Sequence, residues 1–245
     1  MTNTTTGSNN TAVGQNAGAN ITTSSYNTAV GSQALVANTT GAQNTAIGYN
    51  TLENSTTASF NTAVGSETLF TNTTGANNVA VGQAVLYNAT GSQNTAMGNS
   101  ALNDLTTGGN NVAIGFEAAD KSTGTNGAVA IGYQALRTPT DASYQVAIGF
   151  EALKSQSTGS GNIAIGYRCM HNLTTSTKNT GLGHQSMYGV TESSNCTAVG
   201  YKALYAITDG GPHNTAIGSE SMLTATSARS NSAVGDGTMR SLTTG

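Results

Sequence analysis

Apolar residues recur along this chain in fixed columns, about seventeen positions apart, and polar residues keep to columns of their own. We count each repeat from the glycine that closes the phrase Asn-Thr-Ala-Val-Gly, taken as position 0. The copies end at Gly14, Gly31, Gly48, Gly65, Gly82, Gly98, Gly115, Gly132, Gly149, Gly166, Gly183, Gly200, Gly218 and Gly235. Position −1 is always apolar, as in Val30, Ile47, Met97 and Ile165, and position −3 is Thr, Ser, Val or Ile. These two share one face of an extended segment, and their β-branched character suits a pleated surface. The opposite face, position −2, is Ala in every copy but one, where Gly181 stands. A strand apolar on one side and restricted to Ala or Gly on the other reads as covered on both. One cover is the chain's own winding, and the other is expected to be an identical chain, so the residues imply a homo-oligomer.

A second apolar ladder stands at +4: Leu35, Leu52, Leu69, Leu86, Leu102, Leu136, Leu153, Met170, Met187, Leu204, Met222 and Met239, each preceded by a small residue in most copies. It is expected to be a second short strand packed on the first, so that a charge at Leu136 breaks the stacking locally. Two polar columns complete the repeat, Asn at −4 (Asn27, Asn44, Asn61 and others) and Thr at +8 (Thr22 through Thr243, with Ser157 once). Both read as ladders in which identical groups bond from one repeat to the next. The period slips by one residue near 88–91 and again near Asp209-Gly210-Gly211-Pro212, where return loops absorb the change.

A unit this short buries nothing alone and must stack on its copies. The fold expected is therefore all-β: a parallel β-solenoid, or β-roll, of about fourteen rungs, one domain over residues 1–245. At about 4.8 Å per strand it forms a rod roughly 65–70 Å long, and with no polar cap at its end, Leu242-Thr243-Thr244-Gly245, it reads as a segment of a longer fibre.

Composition narrows the function. Charged residues are 8% of the 245 and the formal net charge is −3, leaving no basic stripe for nucleic acid or anionic lipid. No window is apolar enough to insert in a membrane, and Met1-Thr2-Asn3-Thr4 lacks a leader's regions. Cys169 and Cys196 fall two rungs apart in different columns, beyond disulfide reach, one replacing Ala and the other Asn. His171, His184 and His213 occupy three different columns without metal-ligand spacing, and no nucleophile triad or phosphate loop can be drawn. No catalysis, metal or cofactor is expected. The sequons at Asn38, Asn54, Asn72, Asn88, Asn172 and Asn195 follow from Asn and Thr richness.

One column invites a ligand. Position +1 is aromatic or His over six consecutive rungs, Phe116, Tyr133, Phe150, Tyr167, His184 and Tyr201, with Tyr49 upstream. Such a stripe can hold a glycan by stacking or can pack against a neighbouring chain. The +2 column beside it (Glu117, Gln134, Glu151, Arg168, Gln185, Lys202) is expected to face solvent.

The phrases Asn111-Val112-Ala113-Ile114-Gly115 and Asn162-Ile163-Ala164-Ile165-Gly166 resemble the head repeats of YadA-like trimeric autotransporter adhesins, a left-handed parallel β-roll. The longer unit, Asn61 to Leu69 followed by Asn72-Thr73-Thr74-Gly75, is similar to repeats of phage and bacterial tail-fibre-type proteins. The resemblance implies a homotrimeric shaft outside a virion or cell that attaches to a host receptor or glycan. No chaperone, coiled-coil stalk or anchor of those families is recognisable here. An ice-binding β-solenoid is the alternative of another class. It is disfavoured because ice binders set Thr at i and i+2, whereas Thr39-Thr40 and Thr73-Thr74 are adjacent and, on a strand, face opposite ways.

Overall fold

The computed structural model describes residues 5–207 and 211–244, so residues 1–4, Thr208 of the +8 column, Asp209, Gly210 and Gly245 of the expectations above, together with the side chains of Thr243 and Thr244, lie outside the described residues. The protein is an all-β parallel solenoid with a rung of about seventeen residues. It falls into two compact units, Met1–Asn126 and Gly127–Gly245. In the first, β1 (Thr11–Val13), β2 (Thr28–Val30), β3 (Thr45–Ile47), β4 (Thr62–Val64), β5 (Val79–Val81), β6 (Thr95–Met97) and β7 (Val112–Ile114) stack in chain order. In the second, β8 (Val129–Ile131), β9 (Val146–Ile148), β10 (Ile163–Ile165), β11 (Thr180–Leu182) and β12 (Thr197–Val199) continue in the same manner. There a second sheet of β13 (Ala206–Ile207), β15 (Thr224–Ser227) and β17 (Ser241–Thr244) alternates along the chain with β14 (Thr215–Ile217) and β16 (Ser232–Val234) of the first.

Register follows the columns. Ala12 pairs with Ala29, Ala46 with Ala63, and Ala147 with Ala164. Where a residue is lost, β5 still meets β6 with Val79 opposite Thr95, and where one is gained, Thr197 still meets Thr215. The return loops absorb both slips, as expected.

The alanine side is the interior: Ala29, Ala46, Ala80, Ala113, Ala147 and Ala164 are fully buried. The −3 and −1 side chains point outward, and in the single chain Ile47, Val79, Met97, Ile163 and Leu182 are about two-fifths exposed.

The +4 ladder is buried as expected from Leu35 to Met222, Met239 alone being exposed, but it is not on a strand. Residues +1 to +5 form consecutive turns, and φ is positive at both +2 and +4: Gln33 59° and Leu35 54°, Glu67 56° and Leu69 52°, Glu151 52° and Leu153 49°. A left-handed conformation costs an L-residue about 1–2 kcal/mol, while burying a Leu stabilises by about 1.5–3 kcal/mol, so each rung tolerates the turn by filling the core. The first copy avoids the cost by placing Gly18 at +4, with φ 55°. The alternating hand aims the +2 and +4 amides along the stacking axis. Gln33 N–H donates to the Gln15 carbonyl of the rung before at 2.8 Å, and Leu35 N–H to the Thr51 carbonyl of the rung after at 3.0 Å. A third left-handed residue, at −5, turns the chain back toward the strand, as in Phe60 at 61° and Tyr144 at 58°. The motif glycine makes the remaining corner: Gly149 has φ 133°, and a Cβ there collides with the carbonyl of Gly166.

Both polar ladders are present. Asn44 donates its backbone N–H (2.9 Å) and its side-chain amide (3.2 Å) to Asn27 Oδ1, and the same amide donates to the Ala58 carbonyl at 2.8 Å. Asn179 repeats this on Asn162 and Ser193. Cys196, standing for Asn, keeps the backbone bond to Asn179 Oδ1 at 2.9 Å. The Thr hydroxyls donate up the stack, Thr22 to the Thr39 carbonyl at 3.0 Å and Thr106 to that of Thr123 at 2.8 Å. Because 39–40 and 73–74 lie in bends rather than strands, strand alternation does not govern them: Thr73 and Thr74 are both exposed, while Thr39 is half-buried beside the exposed Thr40. The strand-based objection to an ice-binding surface therefore fails on geometry.

Candidate functional site

The +1 residues follow the corner glycines and stand on the surface. Phe116, in the first unit after β7, is exposed. In the second unit the other five stack ring on ring: Tyr133 on Phe150 at 4.9 Å, Phe150 on Tyr167 at 5.4 Å, Tyr167 on His184 at 4.8 Å, and His184 on Tyr201 at 5.5 Å. The first three pairs lie within 19° of parallel and the last is tilted by 37°. Rings so arranged cover one another's faces and turn edges and hydroxyl tips to solvent.

A second ladder escaped the sequence reading. Position +5 carries His171, Tyr188 and Tyr205, with centroids 5.2 and 5.4 Å apart, and Phe70 stacks on Tyr87 at 4.8 Å in the same column of the first unit. Its signal was available, since +5 is aromatic on successive rungs. The column is chemically mixed elsewhere, with Glu53, Asp120 and Lys154 in it.

The +2 column runs between the two ladders, and this corrects its expected exposure at two positions, Glu117, Arg168, Gln185 and Lys202 being half-buried. Gln134 and Glu151 are buried, because the left-handed +2 backbone lays the side chain across the turn rather than out from it. Glu151 is held by Lys154 Nζ at 2.6 Å, Arg168 Nε at 2.8 Å and His171 Nε2 at 3.4 Å. Burial pushes its carboxyl pKa up, but the Lys154 and Arg168 hydrogen bonds outweigh burial and leave it below the ordinary carboxylate value. Arg168 Cζ lies 5.2 Å from the Tyr167 centroid and 5.8 Å from that of Phe150. Lys202 Nζ bridges the ladders, 5.2 Å from Tyr201 and 5.4 Å from Tyr205.

Elsewhere the chemistry is sparse. Both cysteines are free and buried, and burial pushes the Cys169 thiol up to about 12. Among the described residues no three His, Cys, Asp or Glu side chains converge as a metal site, and no helix is long and apolar enough to cross a membrane. A shallow cleft lined by Thr175, Ser176, Glu192, Ser193, Ser194 and Pro212 carries a single carboxylate. Of the sequons, Asn38 and Asn72 are fully buried, their amides bonded to Gly41 and Gly75, so neither is open to glycosylation. No family model, no curated protein and no solved structure matches this chain.

Proposed function

We propose that this chain is a structural and adhesive fibre shaft, a homotrimeric spacer outside a virion or cell, of the kind its repeats resemble in tail fibres and YadA-like adhesin heads. One observation carries the reading. Within each unit, every rung aims a Val, Ile, Leu or Met outward from the strand while its small residue, Ala or once Gly181, faces the interior. Apolar side chains repeated on one face of a sheet form a contiguous patch of the sort that marks association. With charged residues at 8% of the chain, little on the surface opposes self-assembly, and an identical rung spacing lets copies interlock side by side. Its role is mechanical, with the aromatic band of the second unit as the contact surface for a receptor or glycan.

Mass measurement in solution tests this. Three copies of the 24.5 kDa chain are expected, and a monomer across the accessible concentration range overturns the reading. The ice-binding alternative gains from Thr73 and Thr74 sharing the surface. It loses from the +8 hydroxyls already donating along the stack. Thermal hysteresis at micromolar protein would reverse the ranking.

A further inference from the structure

We propose that the band between the two ring ladders of the second unit binds an acidic polysaccharide, one bearing carboxylates or sulfates along its length. The proposal rests on the surface-fibre reading above and names the partner class of that contact surface.

A flat sugar ring packs on an open aromatic face, and so does a nucleobase. Those faces are taken: Tyr133, Phe150, Tyr167 and His184 lie on one another, as do His171, Tyr188 and Tyr205. What remains outward is the ring edge, the electropositive rim of the quadrupole, together with the phenol groups of Tyr133, Tyr167 and Tyr201, which can donate a hydrogen bond. Two rows of positive edges form a surface suited to anions.

The charges agree. Lys154, Arg168 and Lys202 are three of the chain's eight cations, and they lie in or beside this band with two of its eleven acids, Glu151 and, at its far end, Glu220. Glu151 is turned inward under Lys154 and Arg168, while Glu220 on the following rung is held by Arg240 at 2.5 Å. Among the described residues Lys202 makes no ion pair; it is hydrogen-bonded to Tyr201 and feels Glu220 only at longer range. Its ammonium rests between Tyr201 and Tyr205, which orients it at little entropic cost and leaves its charge for a ligand. The band is positive on a chain whose net charge is −3. Ring centres repeat every 4.8 to 5.5 Å, close to the length of one pyranose in an extended chain, so an acid group on successive sugars meets successive rungs. Covered faces exclude base stacking, which favours a glycan over single-stranded nucleic acid.

The experiment uses the full chain with polygalacturonate, dextran sulfate, neutral dextran and oligo-dT as probes, read by calorimetry at low and high salt. Polygalacturonate or dextran sulfate is expected to bind, weakening as salt screens the contact, and Lys202→Gln is expected to cost about tenfold in affinity. Unchanged thermal melting verifies that this half-buried substitution leaves the fold intact. Equal binding of neutral dextran, stronger binding of oligo-dT, or wild-type affinity in Lys202→Gln overturns the proposal. Mass is measured on the same samples: a trimer that ignores both polyanions sinks only the ligand, and a monomer that binds them sinks only the shaft.

Discussion

Leu136 shows how a single residue here serves two opposed demands. Its side chain is fully buried, yet its backbone sits at φ 49°, a conformation that suits glycine. Truncation to Ala removes the burial and keeps the strain, so about 2–5 kcal/mol of stability should be lost. Leu136→Gly loses the same burial but relieves about 1–2 kcal/mol of left-handed strain. It should therefore be no less stable than Leu136→Ala, the reverse of the order in an ordinary helix or strand. Chemical denaturation of the two variants decides, and a Gly variant clearly weaker than Ala would show that the +4 turn stores no strain. Glu151 makes the other residue-scale prediction. Because its folded pKa lies below the ordinary value, its contribution is complete above the unfolded pKa of about 4.3 and is lost as pH falls through the lower folded value. Lys154, Arg168 and His171 are the charged or titratable groups bonded to it. The melting-temperature gap between wild type and Glu151→Gln should be constant near neutrality and close below about pH 4.

At the scale of the element, a rung is a three-residue strand joined by turns to its copy, and each position answers to the same position above and below. Gly181 illustrates the coupling. It interrupts the −2 alanine column because its neighbour at +3 is Cys169 rather than Ala: a Cβ on Gly181 would stand 2.7 Å from Cys169 Sγ and 2.9 Å from Met170 Cε. Overpacking of this kind costs roughly 1–3 kcal/mol. Gly181→Ala should destabilise by that order, and Cys169→Ala in the same chain should restore most of the loss. A double-mutant cycle measures the coupling; additive losses would mean that the two columns do not touch energetically. The repeat was legible in the chain because stacking forces each column to keep one chemistry. The Gly181 and Cys169 exchange was not, because one column compensates another only through contact in space.

For the whole molecule the decisive feature is the outward apolar row. Ile163 is 41% exposed, so a charge there costs a single chain little while placing an unpaired carboxylate in any interface built on this face. Ile163→Glu should therefore leave the melting of the isolated solenoid nearly unchanged and shift the solution mass toward one chain. Sedimentation of the variant beside wild type reads this directly. An undisturbed oligomer would mean that association uses another face.

Periodicity determined much by itself. A seventeen-residue recurrence with one apolar strand and two polar ladders specifies a parallel, in-register stack, since only stacking sets like against like. Left to the tertiary structure were the side of the strand that faces inward and the conformation of +1 to +5. An apolar residue at +4 after a small one at +3 reads equally as strand or turn, and only the left-handed corners at Gln33, Leu35 and their equivalents decide. Those corners also lay Glu151 inward, bring Lys202 between two ring ladders, and close the aromatic faces that the bare column of rings had promised. Column identity is a property of spacing and survives in one dimension; facing is a property of backbone hand and exists only once the chain has turned.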